Sequence, residues 1–358
     1  MPLPGLPGYF MPFQFLGGSK NQASDFLTWD TKAVSTDQFL YIQTDPGNYA
    51  SKTLPDFRVI QLDTCFTEDI LKKFSGDSSS LLLWTNKKQQ NGTKVLPEKF
   101  SLASSGLQHD VLLVYAESSP DSLLLRGNPS WYALLEYNIV GILPGKSKPG
   151  EVIIFSAHYD HEGVIKNKRD SILNGANDNA SGTTALLALA DYFSKRNNNE
   201  RTIMFCAFAG EELGLLGSAD FVTHINPGKI VAAINIEMIG LPQYGKNRVF
   251  ITGERYSGLS SILRNGLKKN GITVRSDPDE AKQLFKRSDN YSFAVKGVPA
   301  HSIMGSDDSE PCYHKPCDEL GRIDIPNMTR IIQAIAAAAE PLINGGKTPE
   351  RTRPVSFE

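Results

Sequence analysis

Cysteine is scarce: four residues in a chain of 358 cannot carry a disulfide framework, so an apolar core has to hold the fold. Long hydrophobic runs are missing too. No stretch approaches the roughly 18 consecutive apolar residues of a membrane-spanning helix. Neither sign of charge is in surplus, with 37 Lys and Arg against 39 Asp and Glu and a formal net charge of −2. A chain so balanced has no basic excess to neutralise a phosphate backbone, which argues against a nucleic-acid partner. No internal repeat is present. The opening MPLPGLPGYFMPFQFLGG has no basic segment and is broken by prolines, unlike a signal peptide. The expectation is either a cytoplasmic protein or a trimmed mature form. What is there is ordinary globular composition, 40% hydrophobic and 21% charged, in a chain long enough for a large core.

Residues 1–128 read as an accessory region, a small β-rich cap or lid. Turn-forming residues cluster at Thr44–Asn48, and a polar loop is expected from Asn86 to Lys99. Strand-like runs occur at Phe57–Ile60, Leu81–Trp84 and Val111–Tyr115. His109 and Cys65 stand alone and suggest no chemistry. Residues 129–345 alternate apolar strand-like runs with helical stretches. The expected strands are Tyr137–Leu143, Val152–Phe155, Thr202–Phe208, Ile230–Ile236, Val249–Thr252 and Pro299–Met304. Helices are expected from Ser181 to about Lys195, up to about Thr223, over Ser257–Lys269 and over Ile325–Ile343. Such alternation predicts an α/β domain, a mixed and mostly parallel sheet with helices on both faces. Tyr137–Leu143 and Val152–Phe155 are expected to be neighbouring strands. Residues 346–358 read as a loose tail.

Chemistry-bearing residues gather where those strands stop. Val152–Phe155 leads into Ser156-Ala157-His158-Tyr159-Asp160, Thr202–Phe208 into Glu211-Glu212, and Ile230–Ile236 into Glu237. In open α/β sheets, ligands bind at the carboxyl ends of the strands. Loops add Asp178 and His314. His158-x-Asp160 alone could be a surface turn, Glu211-Glu212 could complement a helix start, and Asn177-Asp178-Asn179 could be capping. Glu237 inside an apolar run is costly to bury without a cation or hydrogen-bond partner. Converging carboxylates and imidazoles repel unless a metal holds them. Nitrogen from His with oxygen from Asp and Glu suits zinc. Adjacent glutamates can divide the work, one binding metal while the other accepts a proton from water.

The order Asn138-Ile-Val-Gly, Ser156-Ala-His-Tyr-Asp, Gly175-Ala-Asn-Asp-Asn-Ala-Ser-Gly, Gly210-Glu-Glu-Leu-Gly, Asn235-Ile-Glu-Met-Ile-Gly, Arg287-Ser-Asp-Asn and Tyr313-His-Lys-Pro-Cys-Asp resembles the co-catalytic zinc exopeptidases of metallopeptidase family 28. The resemblance runs from Glu136 to about Ile343. It implies the zinc-exopeptidase fold, peptide substrates and two zinc ions per chain. By position, His158 and Glu237 would serve one ion, Glu212 and His314 the other, and Asp178 both. Glu211 would be the general base, and Tyr313 would stabilise the oxyanion. Asp160 would fix the His158 ring from behind, and Asp289 would lie in the same outer shell. The Asp178–Asn179 peptide bond would be cis.

Two positions depart from the family pattern. Glu237 stands where many members have Asp, one methylene longer but still able to ligate. Asn290 stands where many have His and cannot act as an imidazole. Cys312 and Cys317 bracket His314, either as a disulfide in an exported protein or as two free thiols. Cys206 reads as core. His161 suits a pocket wall or the surface equally, while His224 and His301 read as structural. The resulting expectation is an aminopeptidase, periplasmic or secreted as its relatives usually are. The alternatives are a glutaminyl cyclase-like acyltransferase, a carboxypeptidase of the same fold, or a domain that only binds partners. The last is disfavoured because every ligand position holds a competent side chain.

Overall fold

The computed structural model describes residues 8–351 apart from 19–25, 35–37, 43–49, 67–72, 75–76, 78, 88–108, 128–130, 166–169 and 279–281. The expected turn at Thr44–Asn48 lies outside the described residues, as do most of the Asn86–Lys99 loop and the tail beyond 351. The chain divides into two compact units, Phe13–Glu136, and Tyr137–Glu358 together with Met1–Pro12.

Strand β1 (Gly8–Gly18) comes first. The smaller unit then supplies β2 (Phe26–Trp29), β3 (Lys32–Val34), β4 (Phe39–Ile42), β5 (Ala50–Thr53), β6 (Arg58–Gln61), β7 (Leu81–Thr85), β8 (Val111–Tyr115) and β9 (Leu123–Gly127). They form two four-stranded sheets, ordered β3-β2-β9-β5 and β4-β8-β7-β6. Leu82 and Trp84 of β7 and Leu112 and Val114 of β8 share one apolar cluster with Leu27, Trp29, Phe39 and Leu125. The two-residue spacing is that of one face of a strand. The amino-terminal region is β-rich, as expected.

The elements that follow are β10 (Trp131–Leu143), β11 (Lys148–His158), α1 (Ser181–Arg196), β12 (Arg201–Phe208), α2 (Leu216–His224), β13 (Ile230–Glu237), β14 (Arg248–Ile251), α3 (Leu259–Lys269), β15 (Thr273–Arg275), α4 (Asn290–Ala294), β16 (Ala300–Met304) and α5 (Ile325–Ile343). The eight-stranded sheet is ordered β1-β10-β12-β11-β13-β16-β14-β15. Strands β12, β11, β13 and β16 run parallel, whereas β10 pairs antiparallel with β12 and β14 antiparallel with β16. The sheet is thus mixed and mostly parallel, as the alternation predicts. One expectation is corrected. The strands of Tyr137–Leu143 and Val152–Phe155 are not neighbours, because β12 lies between them. The α1 crossover lays β12 parallel against β11, and β10 then pairs with the outer side of β12.

β11 sits inside the sheet because Val152–His158 is buried on both faces. Ile153, Phe155 and Ala157 belong to the core formed with Leu186, Leu189 and Phe193 of α1, Leu263 of α3 and Ile331 and Ile335 of α5. Val152 and Ile154 join the opposite core with Phe221 of α2 and Phe293 of α4. Helices therefore cover both faces. The Phe155 ring stacks at 5.9 Å on both Phe193 and Phe205. Because β11, β12 and β13 run the same way, His158, the Glu211-Glu212 turn and Glu237 come to one sheet edge. Among the described residues no helix is long and apolar enough to cross a membrane.

Candidate metal centre and active site

His158 closes β11 and is fully buried. Its Nδ1 lies 3.2 Å from the main-chain oxygen of Asp160, and its Nε2 lies 3.3 Å from Asp178 Oδ1. The Asp160 carboxylate stands 3.6 Å from the ring. Its oxygens accept the backbone N–H groups of Glu211 and Glu212 at 3.2 and 3.3 Å. Asp160 thus holds the ring through its carbonyl and the glutamate turn through its side chain.

The Asn177-Asp178-Asn179 segment divides its labour. Asn177 Oδ1 accepts from the backbone of Gly240 and Leu241 at 3.0 and 3.2 Å. Asn179 Oδ1 accepts from Met238 at 3.1 Å and from Gly182, in the first turn of α1, at 3.0 Å. Both amides tie the segment to the end of β13. Asp178 between them is 2% exposed and faces two imidazoles, His158 through Oδ1 and His314 through Oδ2 at 3.2 Å. The Asp178–Asn179 bond is cis.

The turn after β12 carries Glu211 and Glu212. Asn138 of β10 secures it from below, donating to Gly217 O at 2.9 Å and accepting from Ala209 N–H at 3.3 Å. Glu212 Oε2 lies 3.1 Å from His314 Nε2, and Glu212 Oε1 lies 2.8 Å from His161 Nδ1. At the end of β13, Glu237 Oε2 accepts from the Ser288 hydroxyl, and from Asn235 Nδ2 at 3.3 Å. Behind it, Ser302 Oγ donates to Asn290 Oδ1 at 2.7 Å, so Asn290 serves the buried polar network. Asp289 is fully buried, which lifts its carboxyl to about 6. Among the described residues no hydrogen bond links Asp289 to a ligand side chain.

His314 lies on a loop closed by a Cys312–Cys317 disulfide. Its backbone is left-handed, with φ of 52°, a conformation uncommon outside glycine. Its Nδ1 lies 3.2 Å from Glu162 Oε1. The Tyr313 ring stacks on the His314 ring, centroids 3.9 Å apart. Burial and the carboxylates of Asp178, Glu212 and Glu237 push the Tyr313 phenol up, so it stays a donor. Just past the disulfide, Asp318 accepts the N–H groups of Asn177 and Asp178. The sequence reading gave Asp318 no role, although it closes the Tyr313–Asp318 motif. His301 is fully buried between Thr252 O and the Ser257 hydroxyl, away from the ligands.

The donors fit metal ions. His158, Asp178 and Glu237 offer ligand atoms within 4.8 Å of one another, and so do His161, Asp178, Glu212 and His314. Asp178 belongs to both groups. Among the described residues His158 Nε2, Asp178 Oδ2 and His314 Nε2 are buried without a hydrogen-bond partner, an arrangement a shared cation would relieve. Burial would raise Asp178, but the His158 and His314 imidazoles outweigh it and hold the carboxyl well below its usual range. Burial opposes a charged His314, yet Asp178 and Glu212 lift it to about 10. Burial raises Glu211 well above an ordinary glutamate, against the pull of His158. Burial also brings Glu237 to about 7.

The family model described as Peptidase family M28 matches residues 138–339. The chain belongs to this family. Among curated proteins, it is 26% identical to Aminopeptidase YwaD of Bacillus subtilis over 221 residues, 60% of this chain and 46% of that one. It is 30% identical to a probable leucine aminopeptidase of Arthroderma otae over 202 residues, 53% of each chain. The chain thus spans about half the length of the curated relatives it matches. Its fold is shared with an aminopeptidase from Aneurinibacillus sp. strain AM-1, at a TM-score of 0.55 and 16% identity over 99% of this chain and 87% of that chain. A zinc aminopeptidase from Bacillus subtilis matches at a TM-score of 0.53 and 18% identity, over 96% of this M28 chain and 86% of its own.

Proposed function

We propose that this M28 chain is a zinc-dependent exopeptidase that removes residues from the amino terminus of peptides. The observation that carries the reading is the pair of donor groups that share Asp178, with Glu211 at the same sheet edge. His158 and Glu237 would hold one zinc ion, Glu212 and His314 a second, and Asp178 would serve both. When bound, zinc polarises the scissile carbonyl and acidifies water. Glu211 takes the proton from the attacking water and returns it to the leaving amine. Its buried surroundings keep that proton from bulk solvent. The Tyr313 phenol, kept protonated by burial and by the carboxylates around it, donates to the carbonyl oxygen as negative charge grows there. Asp160 keeps the ring of His158 and the backbone of Glu211 in register. An acid-rich site also suits the ammonium group of a free peptide terminus. The Cys312–Cys317 disulfide supports an exported, oxidising location.

The test compares aminoacyl-nitroanilide hydrolysis and zinc content in the wild type and Glu211→Ala. Expected are two ions per chain in both proteins and a rate lower by about 10²–10⁴ in the variant. Release of ammonia from glutaminyl peptides in place of amino acids would overturn the peptidase reading in favour of a cyclase. An active Glu211→Ala would remove the assigned base.

A further inference from the structure

His161 lies on the loop that leaves β11. Its Nδ1 is 2.8 Å from Glu212 Oε1, while Glu212 Oε2 is 3.1 Å from His314 Nε2. The two oxygens of one carboxylate therefore face different imidazoles. The His161 side chain is only 10% exposed, and its ring meets that of His314 edge to face at 5.4 Å. The ring also rests on the backbone of Gly175. A Cβ there would come within 2.7 Å of ring Cγ and 2.9 Å of Cδ2, so the absence of a side chain at 175 creates the seat. His161 Nε2 is buried with no hydrogen-bond partner among the described residues. A proton on Nε2 would have no acceptor, which places the ring N–H on Nδ1, directed at Glu212.

We propose that His161 is a positioning residue of the metal centre. By holding Glu212 Oε1, it turns that carboxylate so that Oε2 alone faces the ion shared with Asp178 and His314. The inference rests on the two-ion reading above. A free carboxylate can swing between one-oxygen and two-oxygen ligation, and a donor on one oxygen removes that freedom. The next residue treats the other ligand in the same way, since Glu162 Oε1 lies 3.2 Å from His314 Nδ1. The consecutive pair His161-Glu162 therefore orients both side chains that serve the second ion alone.

The experiment measures zinc affinity by competition with a chromophoric chelator in the wild type, His161→Ala and His161→Asn. Visible spectra of the cobalt-substituted proteins and circular dichroism of the metal-stripped ones accompany it. His161→Ala should bind one ion about 10–100-fold more weakly and the other unchanged. His161→Asn, whose side-chain N–H can stand where Nδ1–H stands, should bind both ions as the wild type does, with unshifted cobalt bands. Unchanged affinity in His161→Ala overturns the proposal. So does a wild type that takes up fewer than two ions. An Asn variant that loses an ion and shifts the cobalt bands makes His161 a direct ligand and overturns the positioning role. If His161→Ala fails to fold, the Asn variant decides alone, on the same criteria. Binding is read without turnover. The expected series in a protein that hydrolyses no peptide would leave this proposal standing and remove the peptidase reading.

Discussion

Asp318 offers a severe test of how Asp178 is held. It is 1% exposed. Its Oδ1 accepts Asn177 N–H at 2.9 Å, and its Oδ2 accepts Asp178 N–H at 3.0 Å. Asp318→Ala would strip two buried backbone donors of their acceptor. At about 1–3 kcal/mol for each unsatisfied group, the loss is about 2–6 kcal/mol. Water entering the space would bring it toward the lower end. Asp318→Asn keeps one acceptor oxygen and turns an amide N–H toward the second donor, so about half the loss is expected. The assay is urea unfolding of metal-stripped protein, with zinc affinity measured separately because Asp178 moves with its backbone. A loss under about 1 kcal/mol in Asp318→Ala, with zinc affinity unchanged, would refute the reasoning. It would show that Asn177 and Asn179 hold the segment unaided.

Three further predictions concern the frame around the site. A Cβ at Gly217 would come within 2.3 Å of both Ala209 O and Asn138 Oδ1. Gly217→Ala should therefore cost at least about 1–3 kcal/mol in thermal unfolding, and should reduce hydrolysis further by shifting the Glu211-Glu212 turn. Burial lowers His301 from 6.5 to about 4, so the unfolded chain takes up this proton first as pH falls. The stability His301 contributes is present above 6.5 and lost as pH falls toward 4. That loss is about 3 kcal/mol, visible as a narrowing gap between wild type and His301→Gln in urea titrations across that range. Replacing Cys312 and Cys317 with Ser together opens a link of sequence separation 5. It should cost about 2 kcal/mol and weaken zinc binding through His314, as unfolding and chelator competition would show.

Much of this was legible in the sequence because strand ends and ligands coincide. The run Val152–Phe155 is apolar at every position, which marks a strand covered on both faces, and that strand delivers His158. Glu237 was conspicuous because a carboxylate in such a run demands a partner. Helix α5 carries its apolar residues at helical spacing and is bounded as expected. Strand order was less accessible. Nothing local in Tyr137–Leu143 says that it will pair with β12 and not with β11, since that choice is made by the α1 crossover. Asp318 and His161 were underread for a related reason. Each acts on a residue distant in sequence, the one on the backbone at 177–178 and the other on Glu212, and neither spacing nor composition encodes such contacts. Asp160 illustrates the limit from the other side. Its neighbourhood to His158 was plain, but its grip on the Glu211-Glu212 backbone needed the fold.

The place of Asp178 in both donor groups also bears on how long the protein lasts. The candidate ligands come from five separated segments, around His158, Asp178, Glu212, Glu237 and His314. Ions held among them let go when any of those segments opens. Zinc supply would then act as a dial on resistance to proteolysis. At a free concentration 100 times the dissociation constant, each ion would add about 2.7 kcal/mol against unfolding. A molecule starved of zinc would lose that protection and be cleaved more readily by other proteases.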